Sequence, residues 1–83
     1  MKRYFEKLIF YKYDITELSE YADYQFHNGI YVRINSGTMT DTDKFFPYEM
    51  MIRRPHKEAV FVGMLRRSQI NILMNELREE NHS

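Results

Sequence analysis

Apolar positions recur with a period of two near the start of the chain. Between Tyr4 and Tyr13 most residues are aromatic or branched, and Ile9, Tyr11 and Tyr13 fall on one side of an extended chain. The same segment read as a helix gives a weaker apolar stripe. Because aromatic side chains favour strands, the pattern predicts a first strand from Tyr4 to Tyr13.

The period changes after Tyr13. Asp14 is a good helix cap, and Glu17 lies three positions later, as a capping box requires. Apolar residues then follow at helical spacing. This predicts a short helix over Ile15 to Asp23, with acidic residues on its outer face.

The pair Asn28-Gly29 lies between two short apolar segments, residues 24–27 and 30–34. An Asn-Gly pair readily adopts the positive φ angles of a two-residue hairpin turn, so a hairpin is predicted here. In its second strand, alternation places three side chains in the core: Ile30, Val32 and Ile34. The other three face outward: Tyr31, Arg33 and Asn35.

A polar segment from Ser36 to Lys44 has no apolar period and is predicted to be a long loop, of the kind that often carries function. Two more strands are predicted after it, Tyr48 to Arg54 and Ala59 to Leu65, joined by a turn at Pro55. The second of these strands is apolar on both faces, which is typical of a central strand.

The last element is the clearest. Apolar residues spaced at i, i+3, i+4 and i+7 predict an amphipathic helix that begins at Ser68 and ends before a frayed tail, residues 79–83. The complete order is β-α-β-β-β-β-α in one domain, residues 1–83. This predicts a small α+β fold: an antiparallel sheet of four to five strands with helices on one face and the other face open.

Composition limits the possible classes of protein. Hydrophobic residues make up 43% of the chain, too many for a disordered protein. Cysteine is absent, which excludes disulfides and thiolate zinc sites. No apolar run is long enough for a membrane span, and the basic start, Met1 to Lys7, is not followed by the apolar stretch of a signal peptide. We therefore expect a cytoplasmic protein.

Catalytic and metal-binding patterns are absent or incomplete. The histidines, His27, His56 and His82, lie far apart in the chain, and no serine lies in a nucleophile-elbow motif. Asp41 and Asp43 form only a fragment of a calcium loop, and the three glycines are scattered. We expect no catalysis, no metal and no cofactor.

The charged and aromatic residues indicate a binding protein. Lysine plus arginine and aspartate plus glutamate each number 12, so the net charge is zero. This balance argues against a dedicated nucleic-acid binder and favours self-association, including a homodimer. Tyrosine and arginine are favoured interface residues, so the candidate partner-binding residues are Tyr31, Arg33, Arg53, Arg54, Lys57, Arg66 and Arg67.

Two hypotheses follow from these residues. The first is a non-catalytic module that binds a protein partner by surface complementarity. The alternative is a nucleic-acid-binding regulator that uses a basic, tyrosine-containing sheet face. Small size alone also associates the chain with phage or mobile-element inhibitors of host systems, an association that rests on no particular residue.

Overall fold

A computed structural model describes residues 2–13, 19–37 and 47–80. A five-stranded antiparallel sheet forms the body of the domain, with strands in the order of the chain. A single turn of 3-10 helix, Tyr4–Lys7, precedes it and helix α1, Arg67–Glu79, follows it. The strands are β1 (Tyr11–Lys12), β2 (Ser19–Gln25), β3 (Tyr31–Gly37), β4 (Tyr48–Arg53) and β5 (Val60–Leu65). The predicted small α+β fold is confirmed.

The core lies between α1 and one face of the sheet. The three apolar residues predicted to point inward from the second hairpin strand are all fully buried, which confirms the alternation in β3. From α1 the stripe Ile70, Met74 and Leu77 packs against them, as the helical spacing predicted. Burial of these apolar surfaces is the main contribution to stability in a chain of this size.

The predicted first strand over Tyr4 to Tyr13 is wrong for most of its length, since only Tyr11 and Lys12 are in a strand. Two asparagines of α1 explain the difference. The Asn71 side chain accepts a hydrogen bond from the Phe5 backbone N–H at 2.8 Å, and the Asn75 side chain donates to the Lys2 carbonyl at 2.9 Å. These bonds hold the segment against the helix, and local periodicity gives no sign of them.

The predicted helix over Ile15 to Asp23 is also wrong where the structure describes it. Residues 19–25 form β2, which pairs with β3 along its whole length. Ala22 is buried on the covered face while Tyr21 and Asp23 point to the other face, which is strand alternation. Pairing with a long neighbouring strand outweighs a local helical pattern. Residues 14–18, including the predicted cap, lie outside the described residues.

The hairpin at Asn28-Gly29 is confirmed, but its predicted two-residue turn is wrong. The Gly29 N–H donates to the Phe26 carbonyl at 3.1 Å, and the Phe26 N–H donates to the Ile30 carbonyl at 2.8 Å. The loop therefore has three residues, and only Gly29 takes a positive φ, 91°. A type I turn followed by one left-handed residue is the second common way to close a hairpin.

The strand predicted to be central, Ala59 to Leu65, is an edge strand. The sheet follows chain order, and the chain passes directly from β5 into α1, so no further strand within residues 2–13, 19–37 and 47–80 pairs with it. The register between β4 and β5 also shifts, with a bulge at which Met64 takes a φ of 59°. Because β5 has a strand on only one side, most of its apolar side chains are exposed to solvent, and the Phe61 side chain is 65% exposed.

The remaining connections were predicted in part. The turn after β4 is confirmed, with Pro55 in its second position and the Lys57 N–H donating to the Arg54 carbonyl at 3.2 Å. His56, in the third position, has a φ of 60°, where glycine or asparagine is usual. The predicted loop from Ser36 begins too early, because β3 continues to Gly37. Residues 38–46 lie outside the described residues.

Candidate interaction face

The sheet has two chemically different faces because successive side chains of each strand point to opposite sides. Helix α1 packs on one face, and none of the described residues packs as a layer over the other. The second face is called the open face here. Strand register places these side chains on it: Tyr11, Tyr13, Tyr21, Asp23, Gln25, Tyr31, Arg33, Asn35, Glu49, Met51, Arg53 and Phe61.

Arg33 is the centre of the open face. Its guanidinium forms two parallel hydrogen bonds to the Asp23 carboxylate, from Nε at 2.7 Å and from the terminal nitrogen at 3.0 Å. The same guanidinium lies 4.4 Å from the centroid of the Tyr21 ring. Bidentate pairing and ring stacking both restrict the long arginine side chain. Arg33 is therefore held in one orientation before any partner arrives.

A second arginine–tyrosine contact lies beside the first. Arg53 and Tyr31 face each other across β3 and β4, with the guanidinium 5.0 Å from the ring centroid. The Tyr31 hydroxyl is also hydrogen-bonded to Asp23, so one carboxylate serves both contacts. The open face thus carries two neighbouring Tyr–Arg pairs linked through Asp23.

The ionisation of these groups follows from their contacts. Hydrogen bonds from Arg33 hold the pKa of Asp23 below its ordinary value, against the opposing effect of partial burial. Desolvation and the nearby Asp23 carboxylate raise the pKa of Tyr31. At neutral pH the site therefore contains a charged carboxylate, a charged guanidinium and a neutral phenol.

Three tyrosines extend the face towards β1. The Tyr13 and Tyr21 ring centroids are 4.7 Å apart, and those of Tyr11 and Tyr21 are 5.9 Å apart. The Tyr13 hydroxyl donates a hydrogen bond to the Asn35 side chain. Asn35, predicted to face outward, does so, but it is only 8% exposed. This cluster supplies flat aromatic surface with polar hydroxyls at its edges.

Sequence reasoning missed this tyrosine cluster as a site. A signal was present, because period two already placed Tyr11 and Tyr13 on the same side of the predicted first strand. Tyr21, however, was assigned to a helix, and nothing local indicated that it would meet residues about ten positions earlier. Only the pairing of β1 with β2, Tyr11 opposite Tyr21, brings the rings together.

The candidate partner-binding residues fall into separate groups. Tyr31, Arg33 and Arg53 lie together on the open face. Arg54 lies on the covered side, where it pairs with the Glu80 carboxylate at 2.7 and 2.8 Å, and this carboxylate raises the pKa of Arg54. The other three are outside the strands: Lys57 in the β4–β5 turn, and Arg66 and Arg67 at the start of α1.

The open face is electrically balanced. Its two arginines, Arg33 and Arg53, are matched by two carboxylates, Asp23 and Glu49. The remaining side chains on this face are aromatic, apolar or amide groups. A partner would therefore meet aromatic and planar cationic groups without a net positive potential.

The part of the chain that the structure describes contains no group of three or more histidine or acidic side chains able to hold a metal ion, and no helix long and apolar enough to cross a membrane. His27 and His56 are exposed in the two hairpin turns. Asp41, Asp43 and His82 lie outside the described residues. Comparisons with protein-family models, curated proteins and solved structures found no match to this chain.

Proposed function

We propose that this protein is a non-catalytic interaction module that binds a protein partner through its open face. One observation carries the proposal: Arg33 is fixed by the Asp23 carboxylate and by the Tyr21 ring, on a face that no described element covers. Tyrosine and arginine are the residue types that contribute most to the energy of protein interfaces.

Preorganisation strengthens this argument. Ordering a flexible side chain at an interface costs about 0.5–1.5 kcal/mol, and that cost reduces affinity. The stacked Arg33 and Arg53 side chains are already restricted in the free protein, and the tyrosine rings have few rotamers. The open face therefore loses less conformational entropy on binding than a surface of free lysines would.

A nucleic-acid partner is the alternative. The tyrosine cluster could stack bases, which favours it. Affinity for nucleic acids, however, comes largely from lysines and arginines that displace counterions from phosphates. On the open face the two arginines are matched by two carboxylates, so the electrostatic contribution is weak. The protein partner is preferred for this reason.

The test begins with capture of partners from cell extract by the purified wild-type chain and by a Tyr31→Ala/Arg53→Ala variant. Lys57→Ala is the matched control, since Lys57 is exposed in the β4–β5 turn, outside the strands that form the open face. We expect a partner that the wild type and the control retain and the open-face variant loses. Calorimetric titration with the purified partner then measures the loss, which should be about tenfold or more.

Two results would contradict the proposal. One is a partner that binds equally to wild type and to the Tyr31→Ala/Arg53→Ala variant while all three chains give the same circular dichroism spectrum. The other is tight binding to mixed oligonucleotides at low salt that weakens steeply as salt increases, which would favour the nucleic-acid alternative.

A further inference from the structure

The two edges of the sheet differ in how well they are protected from pairing. The β1 edge is only two residues long and includes Lys12. The β5 edge is six residues long and contains no charged side chain, with only the bulge at Met64 to interrupt it. Short length, charges and bulges are the features that prevent edge strands from pairing with other chains. Among the residues that the structure describes, none pairs with the outer edge of β5, so this edge is open to a further strand.

Apolar side chains lie on both sides of this edge. Phe61 is 65% exposed on the side of the open face. On the side of α1 a groove of about 280 Å³ runs between β5 and the helix, lined by Val62, Leu65, Gln69, Ile72, Leu73 and Glu76. Ile72 is 44% exposed. An occupant must offer both a strand for the edge and apolar side chains for the groove.

We propose that the occupant is a second copy of this chain, paired through β5 in antiparallel fashion about a two-fold axis at Val62. This interface runs along the β5 edge and shares only Phe61 with the open-face side chains named above, so the proposal does not depend on the function proposed above. The dimer would join two five-stranded sheets edge to edge and leave both open faces accessible.

Charge complementarity along β5 supports a second copy as the occupant. In this arrangement, residues equally distant from Val62 lie opposite each other in the two copies. Glu58 lies just before β5, and Arg66 and Arg67 lie just after it, where α1 begins, so antiparallel pairing places Glu58 of one copy towards Arg66 and Arg67 of the other. Each end of the paired strands therefore brings a carboxylate next to an arginine, and the uncharged residues meet in the middle.

The side of α1 that lines the groove has a sequence pattern that is also compatible with a two-fold axis. A two-fold axis perpendicular to the sheet makes the two α1 helices run antiparallel on the same side. The groove residues of α1 then read polar, apolar, apolar, polar in either direction: Gln69, Ile72, Leu73 and Glu76. Ile72 of one copy can thus approach Leu73 of the other. Basic residues at the beginning of one helix also lie towards acidic residues at the end of the other.

The first experiment is sedimentation velocity from micromolar to near-millimolar concentration. We expect the wild type to approach twice its monomer mass of 10.2 kDa. Phe61→Lys and Ile72→Lys should each weaken the dimer by about 100-fold, because each buries a charge in an apolar contact. Ile9→Lys is the matched control: Ile9 is a large apolar residue, 67% exposed, and lies in the segment before β1, outside β5 and α1.

Two outcomes of the sedimentation experiment would overturn the proposed β5 dimer. A wild-type chain that keeps its monomer mass over the whole range overturns the proposal. So does a dimer that Phe61→Lys and Ile72→Lys leave unchanged, because such a dimer forms through another surface. Circular dichroism of each variant establishes that the fold is retained.

Cysteine crosslinking keeps the test valid if the charged variants fail to fold. The chain has no cysteine, so Val62→Cys introduces a single thiol at a small change in volume. Directly opposed residues of antiparallel strands have Cα atoms about 4.5–5.5 Å apart, within the range for a disulfide. We expect rapid oxidation to a covalent dimer. Tyr11→Cys on the β1 edge is the control, and equal rates for the two variants would overturn the proposal.

A charge swap tests the proposed register. Glu58→Arg should weaken the dimer, and the double variant Glu58→Arg/Arg67→Glu should restore it, because the opposing pairs are recreated in reverse. Absence of restoration in a folded double variant would overturn the Val62-centred register. The Tyr31→Ala/Arg53→Ala variant should keep the wild-type dimer mass, so failure of the open-face function and failure of the dimer are distinguishable.

Discussion

The two faces of the sheet are built from the same five strands but respond to different forces. The covered face carries branched and sulfur-containing side chains, and α1 excludes water from them. The open face carries tyrosines and arginines whose side chains contact one another across neighbouring strands. Burial stabilises the first face, whereas cross-strand contacts order the second. Stability and binding should therefore separate by face.

Truncation on each face gives the largest expected difference. Ile34→Ala removes a fully buried side chain from the covered face and should lower the free energy of unfolding by about 2–5 kcal/mol. Tyr31→Ala, three positions earlier in the same strand but on the open face, should cost no more than about 1 kcal/mol. Urea denaturation followed by circular dichroism measures both. Equal losses would contradict the division between faces.

A side chain of the β2–β3 hairpin loop stabilises the C-terminal end of α1, the helix that covers the buried face. The Asn28 side chain donates to the Leu77 carbonyl at 2.8 Å and to the Glu80 carbonyl at 3.1 Å, so the hairpin loop caps the helix. Asn28→Asp replaces the donor with a carboxylate beside the negative helix end, and should cost about 1–3 kcal/mol. His27→Asp, one position earlier and exposed, is the control and should have little effect on thermal unfolding.

The β4–β5 turn belongs to neither face and provides an independent reference. His56 occupies a left-handed conformation, φ 60°, that costs a residue with a side chain about 1–2 kcal/mol. His56→Gly should raise the free energy of unfolding by up to about 1 kcal/mol, because the greater entropy of glycine in the unfolded chain offsets part of the gain. Lys57→Gly, at the next position, should not stabilise. A destabilised His56→Gly protein would contradict this account.

The smallest expected change in the free energy of unfolding comes from acidification, which breaks the Asp23–Arg33 pair on the open face. The pKa of Asp23 is lowered in the folded state, so its pairing with Arg33 stabilises the fold above the ordinary carboxyl pKa of about 3.9 and is lost as pH falls through the lower, folded value. Both side chains are about one third exposed, so solvent limits the effect to below about 1 kcal/mol.

The measurement compares wild type with Asp23→Asn. The wild type should be slightly more stable at pH 7, and the difference should begin to shrink below about pH 4 and vanish once the pH lies below the lowered, folded pKa of Asp23. Glu6→Gln is the control, because Glu6 lies in the N-terminal turn away from the open face. A difference between wild type and Asp23→Asn that grows on acidification would contradict the assigned pairing.

Several features followed from the sequence because they depend on near neighbours in the chain. The stripe Ile70, Met74 and Leu77 belongs to one helix, and the alternation in residues 30–34 belongs to one strand. Asn28-Gly29 marked a hairpin because glycine tolerates a positive φ, although the loop has three residues instead of two. In each case the periodicity of a single element was enough.

Other features required contacts between distant residues. The segment before β1 is held by Asn71 and Asn75, which lie at the other end of the chain. The segment 19–23 has a helical pattern but pairs with β3. The apolar pattern of β5 predicted burial between two strands, and the described part of the chain gives it one neighbouring strand, β4. Local pattern does not specify which distant groups complete a strand or a backbone hydrogen bond.

The sequence by itself determined the fold class, the two hairpins and the amphipathic helix. Only the tertiary structure decided that Arg33 and Arg53 share one face with Tyr21 and Tyr31, while Arg54 pairs with Glu80 on the other. The physical reason is that periodicity assigns a side chain to one side of its own element. Strand order and register, which depend on the packing of the whole chain, assign its neighbours.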